Sequence, residues 1–137
     1  MIRLLCLLRP ATTCLLTRAP RILSTTSNWI WRARDRGASL IVMDPRETPI
    51  ARTADLWLPV RPGADVAVLN CMLRQIIHDG LVDEQYVHER TTGWDQVRQT
   101  VESCTPEWAE RISGVPAERI MAAARLYGRA GRSLIMH

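Results

Sequence analysis

Residues 39–65 read SLIVMDPRETPIARTADLWLPVRPGAD, and this stretch decides the class of fold that we predict. Residues 39–43 form a short apolar run rich in β-forming side chains, which is typical of a buried strand. Two prolines make residues 44–49 a loop, because proline lacks an amide donor and restricts the residue before it. Residues 50–54 predict a helical turn, and residues 56–60 predict a second strand that Pro59 ends or places at a sheet edge.

A long helix follows the second strand. Residues 61–64 form a turn that contains proline and glycine, and Asp65 is placed to cap the helix after it. We expect this helix to end at residues 79–80, where an Asp-Gly pair stops it. Its predicted buried face consists of Val66, Leu69, Leu73, Ile76 and Ile77.

Four shorter helices and a strand are predicted after residue 82. Asp83 and Thr105 are N-cap residues by type, and Pro106 and Pro116 suit the start of a helix. Residues 133–136 begin a third strand. The side chains that we expect to face the core are Trp108, Ile112, Ile120, Ala123, Ala124 and Tyr127.

This order of elements predicts an α/β fold. A short helix capped by Asn28 and stopped by Gly37 comes before the first strand, and helices separate the later strands. Such an order gives a parallel sheet with right-handed crossovers. Because three strands make a small sheet, we expect residues 28–137 to be part of a larger α/β domain, incomplete at both ends.

The first 27 residues differ in composition from the rest of the chain. They are rich in Arg, Leu, Ser and Thr and contain no acidic residue, which fits a mitochondrial-type transit peptide. The alternative is an out-of-frame or wrongly chosen start. On either interpretation we predict that residues 1–27 are an unstructured leader or a mis-started segment outside the fold.

Charge and motif content exclude several classes of function. The net charge is +4, but residues 35–137 carry 12 Arg against 14 Asp and Glu, so the body of the chain is slightly acidic and predicts no nucleic-acid binding. No apolar run reaches 18 residues, which predicts no membrane span. Four Cys without a C-x-x-C, and His78 and His88 on separate helices, predict neither a metal site nor a catalytic histidine.

Two carboxylates are placed where α/β proteins bind ligands. Asp44 follows the first strand and Asp65 follows the turn after the second, and ligands in open α/β sheets lie beyond the carboxyl ends of strands. Asp44 is placed to accept hydrogen bonds from ribose hydroxyls, and Asp65 to accept two parallel hydrogen bonds from N1–H and N2–H of guanine. The alternatives are that Asp44 only forms the turn before Pro45 and that Asp65 only caps its helix.

Residues 31–46, WRARDRGASLIVMDPR, and residues 54–65, ADLWLPVRPGAD, together resemble a known family. They are similar to the molybdopterin oxidoreductases of the dimethyl-sulfoxide-reductase family, and most similar to a fragment of the catalytic (alpha) subunit of formate dehydrogenases. The resemblance covers roughly residues 29–137. It implies a Rossmann-like, partial parallel-sheet domain that binds molybdopterin guanine dinucleotide.

The resemblance also implies a set of cofactor-binding residues. The loop after the first strand would contact the guanosine end of the cofactor, and the turn before the long helix would place Asp65 against guanine. The residues that match these positions are Asp44, Pro45, Arg46, Glu47, Thr48, Gly63, Ala64 and Asp65.

The implied cofactor is bis(molybdopterin guanine dinucleotide) with molybdenum. The family also holds a 4Fe–4S cluster through cysteines upstream of this region, together with a molybdenum-binding Cys or selenocysteine and a catalytic His. Residues 1–28 supply none of these, so we predict no catalytic residue and no metal ligand in this chain.

The function that follows is a part of a formate dehydrogenase-like oxidoreductase. The complete enzyme would act on a small formate-like substrate, pass electrons to a cluster and an electron-transfer subunit, and be cytoplasmic, or mitochondrial if residues 1–27 are a transit peptide. Two alternatives remain: a non-catalytic remnant that binds a guanine nucleotide or a partner subunit, and a mistranslated chain that does not fold.

Overall fold

The structure is a computed structural model that describes residues 12–17 and 30–136. Four parallel strands form the centre of this part of the chain. They are β1 (Thr12–Thr17), β2 (Ser39–Met43), β3 (Leu56–Leu58) and β4 (Arg132–Met136). Their order in the sheet is β3-β2-β1-β4, and every neighbouring pair is parallel. The predicted α/β fold with a parallel sheet is therefore confirmed.

Helices connect the strands. Residues 30–34 are helical, and a short 3-10 helix, Ala51–Thr53, lies between β2 and β3. The longer helices between β3 and β4 are α1 (Asp65–His78), α2 (Glu84–Arg90), α3 (Trp94–Glu102), α4 (Pro106–Ser113) and α5 (Ala117–Gly128). No helix in the described residues is long and apolar enough to cross a membrane.

The sheet is covered on both faces, as the uninterrupted apolar sequence of β2 indicates. Alternate residues of a strand face opposite sides. Ile41 and Met43 pack in a core with residues of α1, α4 and α5. Leu40 and Val42 pack on the other side with residues 30, 50 and 51. In the sheet the chain runs outward from β1 through β2 to β3, and it then returns past β1 to form β4 at the other edge.

The central position of β1 corrects the expectation for the first 27 residues. Residues 12–17, which we predicted to lie outside the fold, pair with both β2 and β4. Leu15 is 1% exposed and belongs to the main core. The sequence TTCLLT combines β-branched and apolar side chains, as strands do, and it supplies the fourth strand that the prediction lacked. Residues 1–11, 18–29 and 137 lie outside the described residues, so the other expectations for them, including the cap at Asn28, stay predictions.

The buried face of α1 agrees with the prediction only in part, since Leu69 and Ile76 pack against the main core as expected. Val66 is 66% exposed, and the buried residues are Ala67, Val68, Cys71, Met72 and Gln75. Both sets follow helical spacing, and the observed one contains small residues that let the helix approach its neighbours closely. Ile112 of α4 was expected to face inward and is 42% exposed.

Other local predictions are confirmed. Gly37 has a φ of 86°, as a left-handed helix stop requires. Asp83 caps α2 by accepting a hydrogen bond from the Tyr86 amide at 2.9 Å. Thr105 caps α4, with Pro106 as its first residue. Turn chemistry of this kind depends on neighbours in sequence, which is why it is predictable.

Replacing Leu15 with Ala tests whether β1 belongs to the fold. We expect this change to lower the free energy of unfolding by about 2–5 kcal/mol, the range for large-to-small changes in a packed core. Urea unfolding followed by circular dichroism measures the loss. Val66→Ala, at an exposed position, is the control and should change stability by less than about 0.5 kcal/mol. Equal effects of the two changes would contradict the central position of β1.

Candidate functional site

The two loops singled out in the sequence meet in one cleft. β2 and β3 are parallel neighbours, so the segments that follow them emerge at the same edge of the sheet. The cleft between these segments has a volume of about 260 Å³. It is lined by Asp44, Pro45, Arg46, Val60, Pro62, Gly63 and Asp65.

Asp44 fixes the shape of the first loop. It is 1% exposed, and its carboxylate oxygen Oδ1 accepts hydrogen bonds from the backbone amide of Arg46 at 2.8 Å and from Nε of Arg46 at 3.4 Å. Its backbone carbonyl accepts a hydrogen bond from Nε1 of Trp57 at 2.9 Å. Asp44 thus forms the turn before Pro45, as one alternative held, and lines the cleft as well.

Gly63 gives the second loop its sharp turn. Its φ is 84°, a left-handed conformation that glycine adopts without steric cost. No atom lies within 4 Å of the place where a Cβ would stand, so the conformation, and not the lack of space, requires glycine here. The amide of Ala64 donates to the carbonyl oxygen of Arg61 at 3.0 Å and closes the turn.

Asp65 carries the carboxylate of this cleft that is open to a ligand. It is the first residue of α1, and the N-cap position belongs to Ala64, so the prediction that Asp65 caps the helix is wrong. Asp65 is half-buried. Among the described residues, its carboxylate has no hydrogen-bond or ion-pair partner. A partly desolvated carboxylate beside the N-terminal amides of a helix is well placed to accept N–H donors.

Three of the predicted site residues do not line the cleft. Glu47 forms an ion pair with Arg52 at 3.6 Å, and the Thr48 hydroxyl oxygen accepts a hydrogen bond from the Ala51 amide at 3.3 Å. The side chain of Ala64 is buried in the core. Conversely, the cleft includes Val60 and Pro62, which the sequence reasoning missed. Their place beside the Gly63 turn was the available signal, but apolar side chains suggest no chemistry of their own.

The chemistry of the cleft suits a small polar ligand. Its lining includes the half-buried Asp65, the exposed Arg46 and the buried Asp44, together with apolar side chains of Val60 and the prolines. Sites for small molecules commonly enclose about 300–1,000 Å³, so this cleft is slightly smaller than such sites usually are. Within residues 12–17 and 30–136 no group of three or more His, Cys, Asp or Glu residues is arranged to hold a metal ion.

Carboxyl groups with lowered pKa values lie outside the cleft and have structural causes. A hydrogen bond from Arg125 lowers the pKa of Asp79, and a second from Gln75 acts in the same direction. Hydrogen bonds from its own backbone amide and from the Thr105 hydroxyl lower the pKa of Glu107. His78 lies 3.1 Å from a carboxylate oxygen of Glu102, so it is a partnered surface residue. The contacts of Asp79 and His78 join the end of α1 to α5 and α3, and those of Glu107 lie within the first turn of α4.

The chain has relatives of similar sequence among known proteins. No protein-family model matches the chain. The F420-dependent formate dehydrogenase 1 subunit alpha of Methanococcus maripaludis is 42% identical over 106 residues, which cover 77% of this chain and 16% of that protein. Formate dehydrogenase H of Escherichia coli is 40% identical over 110 residues, 80% of this chain and 15% of that protein.

A solved structure matches the fold as well. Acetylene hydratase from Pelobacter acetylenicus superimposes with a TM-score of 0.86 at 30% sequence identity, over 90% of this chain and 18% of that chain. The chain therefore spans less than a fifth of the length of the relatives that it matches. The similarity concerns a segment of these proteins, and this segment includes both cleft loops within its fold.

Cys71, on the buried face of α1, provides a pH test of the packing of this helix. Burial raises the pKa of its thiol from 9.0 to about 11, and Arg74 opposes the shift in part. The folded chain keeps this proton at pH values where the unfolded chain has lost it, so we expect stability to fall as the pH rises from about 9 to 11. The chain has no lysine, which leaves few other groups to titrate in this window.

The urea midpoint measured across this pH range tests the effect. Cys71→Ala is the matched variant, since it removes the titrating group, and its midpoint should decline less steeply than that of the unmodified chain. Parallel declines would contradict a raised thiol pKa.

Proposed function

Because the chain is homologous to part of the molybdopterin oxidoreductases and resembles formate dehydrogenase alpha subunits there, we propose that its cleft binds the guanosine end of a molybdopterin guanine dinucleotide. The observation that carries this proposal is the meeting of Asp44 and Asp65 in one cleft at the carboxyl ends of parallel strands. The half-buried Asp65 carboxylate offers two acceptor oxygens that have no partner among the described residues.

Asp65 would select guanine by hydrogen bonding. A carboxylate accepts from N1–H and N2–H of guanine in parallel, whereas adenine presents an acceptor at N1 and no such donor pair. The negative charge of Asp65 makes each bond stronger than a neutral one. Gly63 keeps the backbone before Asp65 free of a side chain, so the base can approach the turn.

The first loop would hold the ribose and the adjoining phosphate. Asp44 orders this loop through the Arg46 amide, and the Arg46 side chain is 69% exposed at the cleft. A guanidinium in this position suits a phosphate oxygen. Pro45 and Pro62 restrict the backbone on both sides, which lowers the entropy lost when a ligand binds.

The proposed role of this chain in catalysis is to bind and orient the cofactor. When bound, the molybdenum cofactor supplies the two-electron chemistry, while the protein supplies position and electrostatics. The complete enzyme would be formate dehydrogenase-like, act on a formate-like substrate, carry bis(molybdopterin guanine dinucleotide) and a 4Fe–4S cluster, and work with an electron-transfer subunit in the cytoplasm. The alternative is a non-catalytic protein that binds a guanine nucleotide, and the same cleft with its Asp65 carboxylate supports this function too.

Replacing Asp65 with Asn tests the guanine site. The amide presents one acceptor and one donor, so one hydrogen bond to guanine is lost and an N–H faces an N–H. Since a hydrogen bond to a charged group contributes about 1.5–3 kcal/mol, we expect the affinity for GMP to fall at least about tenfold. Isothermal titration calorimetry measures the affinity, and circular dichroism verifies the fold.

Asp95→Asn is the matched control for this variant. Asp95 also lies in the first turn of a helix, α3, and does not line the cleft. It should leave GMP binding unchanged. Equal affinity in the Asp65 and Asp95 variants would exclude the guanine role of Asp65, and AMP binding as tight as GMP binding would exclude the selectivity.

The purified 137-residue chain should not oxidise formate by itself. Its described residues contain no cluster of side chains arranged for a metal ion, and we propose only a binding role for them. Reduction of a viologen dye in the presence of formate is the measurement, with a complete formate dehydrogenase as the positive control. Turnover by the purified chain would contradict a role limited to binding.

A further inference from the structure

We propose that Arg61 is a positioning residue for the cleft, because its side chain and backbone fasten residues 62–65 to the C-terminal end of α4. Arg61 does not line the cleft and acts through the turn that follows it. The effect on nucleotide binding rests on the function proposed above, whereas the anchoring itself does not.

Arg61 pairs with three consecutive carbonyl oxygens at the end of α4. Its Nη1 donates to the carbonyl oxygen of Arg111 at 3.0 Å and, more weakly, to that of Ile112 at 3.5 Å. Its backbone amide donates to the carbonyl oxygen of Ser113 at 2.9 Å. The last four carbonyls of a helix lack partners within the helix. In α4 the fourth, that of Glu110, accepts from the Gly114 amide, so Arg61 completes the set.

The charge of Arg61 suits this position. The C-terminal end of a helix carries a partial negative charge, which attracts a cation within the last turn. One guanidinium nitrogen, Nη1, makes both side-chain contacts, and its two N–H bonds can point at two neighbouring carbonyls. The side chain and the backbone amide of Arg61 therefore both bind the C-terminal end of α4.

Gly114 shows how closely the Arg61 side chain lies against α4. Gly114 has a φ of 75°, and a Cβ built on it would stand 3.1 Å from Nε and 3.3 Å from Cζ of Arg61. Both atoms are closer than ordinary van der Waals contact allows. A side chain at residue 114 would require the Arg61 guanidinium to shift by a few tenths of an ångström, which we expect to weaken its contacts with the carbonyls.

The other side of Arg61 leads directly into the cleft. Its carbonyl oxygen accepts from the Ala64 amide at 3.0 Å, which closes the turn that contains Pro62 and Gly63. Ala64 is buried in the core, and Asp65 follows as the first residue of α1. The turn that precedes Asp65 is therefore held by α4 at Arg61, the first residue of the turn, and this turn sets the position of the Asp65 carboxylate.

The test uses the full 137-residue chain and two kinds of variant. Arg61→Gln removes the positive charge, and Arg61→Lys keeps the charge but replaces the guanidinium. Gly114→Ala keeps Arg61 and displaces its side chain. Gly37→Ala is the matched control, because Gly37 also has a left-handed φ, of 86°, and no atom lies within 4 Å of its Cβ position.

Two measurements are made on each variant. Calorimetry gives the affinities for GMP and AMP, and hydrogen exchange gives the protection of the amides of residues 63–65. We expect Arg61→Gln and Gly114→Ala each to weaken GMP binding about tenfold, because the turn must then be ordered on binding, and to speed exchange in this segment. Arg61→Lys should recover part of the affinity, and Gly37→Ala should change neither quantity.

The double variant distinguishes a shared contact from two separate defects. If the Gly114 change acts through Arg61, the two substitutions together should cost little more affinity than either alone. Additive losses would overturn the proposal, as would faster exchange spread over the whole chain with GMP affinity unchanged. A chain that fails to bind GMP would contradict the guanosine site, and the exchange of residues 63–65 would still decide whether Arg61 holds the turn.

Discussion

Met43 pairs with Leu58 in the parallel ladder between β2 and β3, and the candidate site depends on this pairing. The ladder continues past the strand, where the Asp44 amide donates to the Leu58 carbonyl oxygen at 3.3 Å. Strands in parallel register release their following loops at one edge, side by side. Without this register Asp44 and Asp65 would be separated, and neither loop by itself forms a cleft.

The parts of the fold and site that are predictable from the sequence are those that local chemistry determines. The apolar run of β2 and the proline-bounded loop after it are of this kind, as is the turn at Gly63. Asp44, Gly63 and Asp65 were singled out because they follow strands, where α/β proteins bind ligands. Glu47 and Thr48 were drawn in by resemblance, and they serve the loop itself by pairing with Arg52 and with the 3-10 helix. Whether any of these residues binds a cofactor stays a prediction.

The parts that were missed depend on partners far away in sequence. β1 was overlooked because an Arg-rich composition suggested a leader, whereas its β-forming run is stabilised by strands on both sides. The buried face of α1 was predicted only in part, because two adjacent stripes of side chains both fit helical spacing, and packing against the sheet decides how deeply each stripe is buried. The partners of Arg61 lie 50 residues or more away, so no local pattern indicates its contacts with α4.

The position of β1 has a consequence for the order in which the chain folds. Thr13 pairs with Ser39 on one side and with Ser133 on the other, so the second ladder joins residues 120 positions apart. Closing so long a loop adds little to the equilibrium cost, since this grows only with the logarithm of length. The long loop slows folding, because pairings between residues far apart in sequence form late. During synthesis β1 and β2 can pair early, while the other side of β1 stays unpaired until β4 has left the ribosome. In that interval the unpaired side of β1 is an open strand edge to which another chain can add a strand.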